Sequence, residues 1–207
     1  MIIPQPATSN KTRKADSDKR SKGNDNGISL DSLFKNVTDY DDYNAFENIF
    51  KRTYTSVCSF VQKMVRSHEL AEEIVDDVFF SLWKNRKKIR ITSSFKSYLL
   101  TSVRNRSLDC LRKMKKKQNL ALENASTLPS SQSSVLENME CNELQLRIDT
   151  AIQLLPKQCR LIFILSREQG LKYREIAEML SISIKTVDTQ MGRALKFLRG
   201  EILTSTT

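Results

Sequence analysis

Residues Tyr173–Arg199 read YREIAEMLSISIKTVDTQMGRALKFLR, two amphipathic segments separated by a short polar bend. A helix-turn-helix needs a small residue where its two helices touch and apolar residues that face inward. Ala177 supplies the small residue, Ser181 stands at the turn position that often holds glycine, and Ser183 is a good N-cap for the second helix. The residues predicted to be buried are Ile176, Leu180, Ile182, Ile184, Val187, Met191 and Leu195.

The outward side of the second helix is polar and predicts a DNA-reading surface. Lys185, Thr186 and the helix N-terminus suit phosphate, whereas Gln190 and Arg193 have the reach to contact bases in a major groove. Asp188 suits a cytosine amino group or a basic neighbour. The alternative is a helical corner that only packs on its own domain, and the joint fit of buried positions, cap and basic face favours DNA. The predicted surface comprises Ser183, Lys185, Thr186, Asp188, Thr189, Gln190 and Arg193.

Composition and charge support an all-α protein with a polyanionic partner. The chain has 207 residues, 39% of them hydrophobic, and its five glycines and four prolines are too few for a many-turned β fold. Its formal net charge is +10, and the basic residues cluster in sequence. We expect two small helical domains joined by a flexible linker.

Apolar periodicity divides the chain into four segments. Residues 1–41 are predicted to be a disordered basic tail. Residues 42–117 carry three helical stripes, the second with an acidic start and a basic end. Residues 118–138 form the linker, and residues 139–203 form the C-terminal helical domain.

The sequence contains no pattern of a metal, cofactor or catalytic site. The four cysteines are far apart, no C-x-x-C pair occurs, and His68 is the only histidine. We predict reduced thiols, no metal, no cofactor and no enzymatic activity. The N-terminus lacks the apolar core of a signal peptide, and no later run is long enough to span a bilayer, which predicts a cytoplasmic protein without direct membrane insertion.

Two stretches resemble a known family. LPKQCRLIFILSREQGLKYREIAEMLSISIKTV is similar to the C-terminal promoter-reading domain of bacterial sigma factors, with its LP…R…G-x-x-Y-x-E-I-A…S-x-x-T-V pattern. AEEIVDDVFFSLW, followed by FKSYLLTSVRNRSLDCLRK, resembles the other essential domain, where A-E-D-L-V-Q-E-V-F and A-R-N-x-x-x-D-x-x-R are usual. Two such domains with little between them resemble the extracytoplasmic-function (ECF) group of the sigma-70 family.

The resemblance implies roles for individual residues. The acidic helix would bind the clamp helices of the largest polymerase subunit through Glu73, Asp76, Asp77 and Phe80, with Asp76 standing where the family often has glutamine. The next helix would recognise and melt the minus-ten promoter element, and Asn105 would help to hold an extruded base. The residues implied for minus-ten DNA are Tyr98, Arg104, Asn105, Arg106, Arg112, Lys113 and Lys116. The helix-turn-helix would bind the minus-thirty-five element.

The implied function is promoter-specific initiation of transcription together with core RNA polymerase. Family members are commonly restrained by an anti-sigma factor, often one anchored in a membrane. One alternative is a helix-turn-helix regulator that binds duplex DNA without polymerase, which leaves the acidic helix unexplained. A second is a subunit of a nucleic-acid-processing enzyme, for which the sequence has no metal cluster, phosphate loop or nucleophile.

Overall fold

The computed structural model describes residues 27–122 and 143–204. Within these ranges the secondary structure is helical, without strands, as predicted. In chain order the helices are α1 (Leu30–Tyr40), α2 (Tyr43–Val65), α3 (His68–Asn85), α4 (Phe95–Leu122), α5 (Glu143–Leu154), α6 (Lys157–Arg167), α7 (Tyr173–Leu180) and α8 (Ile184–Thr204).

The first four helices form the N-terminal domain, in which α2 packs against α1, α3 and α4. Polar caps set where the helices begin. The side chains of Ser29, Asp42 and Ser67 each accept a hydrogen bond from a backbone N–H three residues later, which satisfies one of the unpaired donors of the first turn. The apolar stripes of the helices then meet in one core that includes Ile49, Phe60, Val75, Phe79 and Leu99.

Helix α1 corrects one prediction. Residues up to 41 were expected to be a disordered tail, but Leu30–Tyr40 is a helix whose Leu33, Phe34 and Val37 are buried against α2 and α4. Positions 33, 34 and 37 lie on one helical face. Three apolar residues among polar neighbours are nevertheless a weak sequence signal for a helix. Residues 1–26 of the predicted tail lie outside the described residues.

The predicted linker also begins later than expected. Helix α4 continues to Leu122, five residues beyond the predicted boundary at 117. The added residues, QNLAL, include alanine, leucine and glutamine, which favour helices, so the basic helix has no local reason to stop at Lys117. The rest of the linker, residues 123–138, lies outside the described residues.

The last four helices form the C-terminal domain, and α7 and α8 are its helix-turn-helix. Ser181 has a φ of 54°, the left-handed conformation that often holds glycine at such a bend. The Oγ of Ser183 accepts a hydrogen bond from the N–H of Thr186 at 3.0 Å, which confirms the predicted cap.

The buried stripe of α8 differs from the predicted one in two positions. Ile184 and Leu195 were expected to be buried, but they are 52% and 39% exposed. The inward positions are instead Val187, Met191, Ala194 and Leu198, which repeat at the four- and three-residue spacing of a single helical face. Ile184 lies near that face by its spacing, but it is the first residue of the helix, ahead of the packed turns, whereas Leu195 follows the inward Ala194 and lies at the edge of the face.

The two domains pack against each other, which the sequence did not predict. Lys63 of α2 forms an ion pair with Glu168 at 2.6 Å, and the Oγ of Ser56 donates to the amide oxygen of buried Gln169 at 2.9 Å. The N-terminal end of α4 meets α7, where the Oγ of Ser94 hydrogen-bonds to the carboxylate of Glu175. One continuous group of buried apolar side chains includes residues of both domains.

Candidate polymerase and promoter-DNA surfaces

The predicted polymerase contacts lie on α3, and three of the four are exposed. Glu73, Asp77 and Phe80 fall one turn apart along the helix, on the side away from the core. Phe80 is 55% exposed and lies next to the two carboxylates on this side of the helix. We call Glu73, Asp77 and Phe80 the acidic edge.

Asp76 lies beside this edge but is half-buried under α2. Its side chain interacts with the hydroxyl of Tyr54, which also interacts with Cys58. Burial raises the pKa of Asp76, and it also raises the pKa values of Tyr54 and Cys58. The second oxygen, Oδ1, is buried without a hydrogen-bond partner among the described residues. The Asp76 side chain therefore contacts its own domain rather than facing outward.

A groove of about 460 Å³ joins the acidic edge to the predicted minus-ten helix. Asp77 and Phe80 line it from α3, and Tyr98 and Arg106 line it from α4. Arg106 Nη2 and Asp77 Oδ2 form an ion pair at 2.5 Å, and this hydrogen bond raises the pKa of Arg106. The polymerase set and the minus-ten set, predicted separately, are thus connected in one surface.

The remaining minus-ten residues follow α4 toward its C-terminal end. Asn105 is exposed, and Arg104, half-buried behind it, has a pKa lowered by burial and by the nearby charge of Arg112. Arg112, Lys113 and Lys116 are exposed on the last turns of the helix. The structure therefore brings Tyr98, Arg104 and Asn105 close to the loop Arg86–Ser94 and leaves the other three as a basic extension. Phe95 is fully buried and unavailable for stacking on a base.

The helix-turn-helix lies against part of the predicted minus-ten surface. A cleft of about 500 Å³ is lined on one side by the loop and by Tyr98, Arg104 and Asn105 of α4. Its opposite wall is the end of α7 and the bend that follows, residues 178–181. One side of the predicted base-binding surface is therefore already occupied by the chain itself.

The predicted minus-thirty-five surface is free on most of its area. Ser183, Lys185, Asp188, Thr189 and Arg193 are exposed on the outer side of α8. Their hydrogen bonds are local: the hydroxyl of Ser183 pairs with that of Thr186, and Thr189 donates to the carbonyl of Lys185 at 2.8 Å. The basic side chains of this face thus point to solvent.

Gln190 differs from the prediction that it reaches bases. It is half-buried, and its amide oxygen accepts a hydrogen bond from the thiol of buried Cys159 at 2.8 Å. Gln190 follows Val187 by three residues and precedes Met191, so it lies on the flank of the buried stripe. In this structure it links α8 to α6.

Two further properties bear on function. Among the described residues, no group of three or more His, Cys, Asp or Glu side chains is placed to hold a metal ion. Over the same ranges, no helix combines the length and the apolar content needed to cross a bilayer.

Sequence comparison identifies both domains separately. The family described as Sigma-70 region 2 matches residues 49–117, and the family described as Sigma-70, region 4 matches residues 145–198. The ECF RNA polymerase sigma factor SigK of Mycobacterium tuberculosis strain H37Rv is 23% identical over 172 residues, which cover 82% of this chain and 91% of SigK. The RNA polymerase sigma factor CarQ of Myxococcus xanthus is 26% identical over 155 residues, 75% of this chain and 87% of CarQ.

Solved structures show the same fold. The sigma factor RpoE from Bartonella quintana, determined in complex with the anti-sigma factor NepR, has a TM-score of 0.58 at 20% identity and covers 76% of this chain and 96% of its own. CnrH, determined with the cytosolic domain of CnrY, has a TM-score of 0.59 at 17% identity and covers 86% and 100%. With regions 2 and 4 both matched in this order in one chain, the protein belongs to the sigma-70 family of RNA polymerase sigma factors, in its extracytoplasmic-function group.

Proposed function

We propose that this ECF sigma factor binds core RNA polymerase through the acidic edge and places it on a promoter through two separate DNA contacts. The observation that carries the residue assignment is the groove in which Asp77 pairs with Arg106. It joins an exposed acidic and aromatic edge to a basic helix, so one rigid domain supplies both a protein-binding face and a DNA-binding face.

The minus-thirty-five element is contacted by α8 in this proposal. Lys185 and Arg193 are exposed, and the Ser183 cap leaves the helix N-terminus directed outward, as phosphate binding requires. Arg193 and Asp188 are placed to contact base edges, while Lys185 holds the backbone. Gln190 is left out of the base-reading set because its amide is bonded to Cys159.

The minus-ten element is captured by α4 and the loop Arg86–Ser94. Asn105 and Tyr98 lie at the cleft where an unpaired base would enter, and Arg112, Lys113 and Lys116 hold phosphates farther along. Extruding one base costs a few kcal/mol, which these contacts offset. The protein performs no bond chemistry itself, and the polymerase supplies the catalysis.

The two DNA contacts require the domains to separate. The elements are about 25 base pairs apart, roughly 85 Å along a straight duplex at 3.4 Å per base pair. Since α4 and α7 are in contact here, this arrangement cannot place one domain on each element. The segment 123–142 between the domains is long enough to extend over more than 60 Å when fully stretched.

Two further features of the proposal are its partner and its location. RpoE was determined with the anti-sigma factor NepR, and CnrH with the cytosolic domain of CnrY. We propose an anti-sigma partner for this chain as well. We propose that the protein acts in the cytoplasm, together with the polymerase.

The experiment that tests the proposal is co-purification of the tagged protein with bacterial core polymerase. The wild type is expected to bind in stoichiometric amounts, and a Glu73→Lys, Asp77→Lys double variant is expected to lose binding because the acidic edge becomes basic. Glu47→Lys is the matched control, since Glu47 is an exposed carboxylate on α2, away from the edge. No binding by wild type, together with tight specific duplex binding by the isolated protein, would identify a stand-alone regulator instead.

A further inference from the structure

The loop Arg86–Ser94, between α3 and α4, is attached to α1 at both of its ends. At its start, Arg86 Nε and Lys87 Nζ bind the two carboxylate oxygens of Asp41 at 2.5 and 2.9 Å. Lys87 also donates to the carbonyl of Thr38 at 3.0 Å. These hydrogen bonds lower the pKa of Asp41, so its carboxylate is charged at neutral pH.

At its other end, the loop meets the first turn of α4, and α1 contributes to that turn directly. The carboxylate of Asp31 accepts a hydrogen bond from the backbone N–H of Phe95, the first residue of α4, at 2.7 Å. One residue earlier, the Oγ of Ser94 accepts from the N–H of Ser97 at 3.2 Å. Two of the donors that a helix leaves unpaired at its N-terminus are therefore satisfied, one of them by a side chain from another helix.

Apolar packing holds the same junction. Phe34, one turn after Asp31 on α1, stacks on Phe95 with ring centroids 4.6 Å apart, and both rings are buried. The carboxylate of Asp31 is also favourably placed against the positive end of the α4 dipole. Sliding α1 along the loop would break the hydrogen bond and the ring contact together.

We propose that Asp31 is a positioning residue for minus-ten recognition: by capping α4 from α1, it fixes the end of the loop that borders the base-binding cleft. This inference rests on the proposed function of the loop and of α4. Residue 31 lies outside the stretch 49–117 that matches Sigma-70 region 2. The role is indirect, since Asp31 contacts Phe95 and not the cleft.

The Asp31 contact differs from the other acidic contact at this helix end. Glu175, which accepts from Ser94 Oγ, belongs to the C-terminal domain. When the domains separate on a promoter, the contact from Glu175 is lost and the one from Asp31 remains, because α1 belongs to the same domain as the loop. The hydrogen bond from the Phe95 N–H to Asp31 then continues to cap the first turn of α4.

The test uses holoenzyme assembled from bacterial core polymerase and the full-length protein as wild type, Asp31→Ala, Asp31→Asn or Asp39→Ala. The probe is a linear duplex selected from a randomised library by wild-type holoenzyme, with 2-aminopurine at an adenine of its minus-ten element. Fluorescence reports unstacking of that base, and core binding is measured separately by titration. Asp39→Ala removes the same charge from the same helix without touching α4.

We expect Asp31→Ala to lower the open-complex equilibrium about fivefold, the change that loss of a helix cap of ordinary strength produces. Core binding should stay within about twofold of wild type for a single surface substitution. Asp31→Asn keeps an acceptor oxygen and should restore most of the fluorescence change, and Asp39→Ala should match wild type.

Three results would overturn the inference. In the first, Asp31→Ala opens the promoter as well as wild type does. In the second, Asp31→Ala reduces core binding and opening in equal proportion, which identifies general destabilisation. In the third, Asp39→Ala is as defective as Asp31→Ala, which identifies a charge effect. Failure of wild-type holoenzyme to select and open any duplex would instead sink the proposed function, and this inference with it.

Discussion

The two proposed DNA-binding surfaces differ in how far the chain itself already occupies them. The outer face of α8 is exposed, and the hydrogen bonds of Ser183, Thr186 and Thr189 stay within their own helix turns. The minus-ten surface, by contrast, shares its cleft with residues 178–181 of the helix-turn-helix, and Ser94 is bonded to Glu175. We therefore expect the isolated protein to bind duplex DNA through α8 more readily than single-stranded DNA through α4.

The largest expected effect is on stability, from a substitution in α1, the helix that packs beneath the proposed minus-ten surface. Phe34→Ala removes a buried ring that stacks on Phe95, and we expect it to lower the free energy of unfolding by about 3 to 5 kcal/mol. Chemical denaturation followed by circular dichroism measures this loss. Tyr40→Ala is the control, because Tyr40 lies on the same helix at 78% exposure. Equal stability of the two variants would show that α1 is not part of the domain core.

The roles of the α8 surface and of the proposed minus-ten surface can be distinguished by substituting one candidate base-contacting residue on each. Arg193→Ala should weaken binding to a minus-thirty-five duplex by about 1 to 3 kcal/mol, whereas Asn105→Ala should leave duplex binding unchanged and reduce open-complex formation. Fluorescence anisotropy measures the first effect and permanganate reactivity of unpaired thymines the second. Loss of duplex binding in Asn105→Ala would contradict the assignment of the two surfaces.

Weakening the contact between the domains should uncover the minus-ten surface. Glu168→Ala removes the ion pair with Lys63, whose two side chains are each about one-third exposed, so the expected effect is about 0.2 to 1 kcal/mol. Binding of a single-stranded minus-ten oligonucleotide should tighten up to about fivefold, the factor that corresponds to 1 kcal/mol.

A matched control for this variant is Glu47→Ala, which removes an ion pair within α2, between Glu47 and Lys51, and leaves the cleft unchanged. If Glu47→Ala tightens single-strand binding as much as Glu168→Ala, the gain reflects the lost negative charge and not domain separation.

The smallest expected effect concerns Asp76. A carboxyl whose pKa is raised by burial adds most to stability below its unfolded value of about 3.9, and that contribution is lost as the pH rises through the folded pKa. At pH 7 Asp76 is therefore an unfavourable buried charge, and Asp76→Asn should be as stable as wild type or up to about 1 kcal/mol more stable. Unfolding experiments at pH 7 and pH 4 should show the difference shrinking at the lower pH.

The same variant also tests where Asp76 points. Asp76→Asn should keep its binding to core polymerase, because the side chain is turned toward Tyr54. Asp77→Asn is the comparison, as a substitution on the acidic edge. A loss of core binding by Asp76→Asn as large as that of Asp77→Asn would show that Asp76 also contacts the polymerase.

The sequence predicted those features of the helix-turn-helix that depend on residues close together in the chain. The Ser183 cap, the turn at Ser181 and the inward Ala177 each follow from neighbouring residues, and the structure confirms them. The burial of Ile184 and Gln190 differs from the predicted burial because how far packing extends along and around a helix depends on which helix packs against it. Helix α1 was missed since three apolar residues become informative only when α2 and α4 are there to cover them.

The contacts that join distant parts of the chain were not predictable in the same way. Asp31 and Phe95, Asp41 and Arg86, and Glu175 and Ser94 are separated by 64, 45 and 81 residues. Each is an ordinary polar pair whose partner is chosen by tertiary packing, and no pattern in one sequence marks such a pair.

The exposed basic stretch 112–116 of α4 has a consequence for how DNA binding is driven. Arg112, Lys113, Lys115 and Lys116 lie within two turns, and like charges at three- and four-residue spacing destabilise an isolated helix by about 0.2 to 0.5 kcal/mol per pair. A DNA phosphate placed against this end relieves the repulsion as it binds. Promoter binding should therefore increase the helicity of the chain. Salt screens the same repulsion, so added salt should produce part of this increase in the absence of DNA.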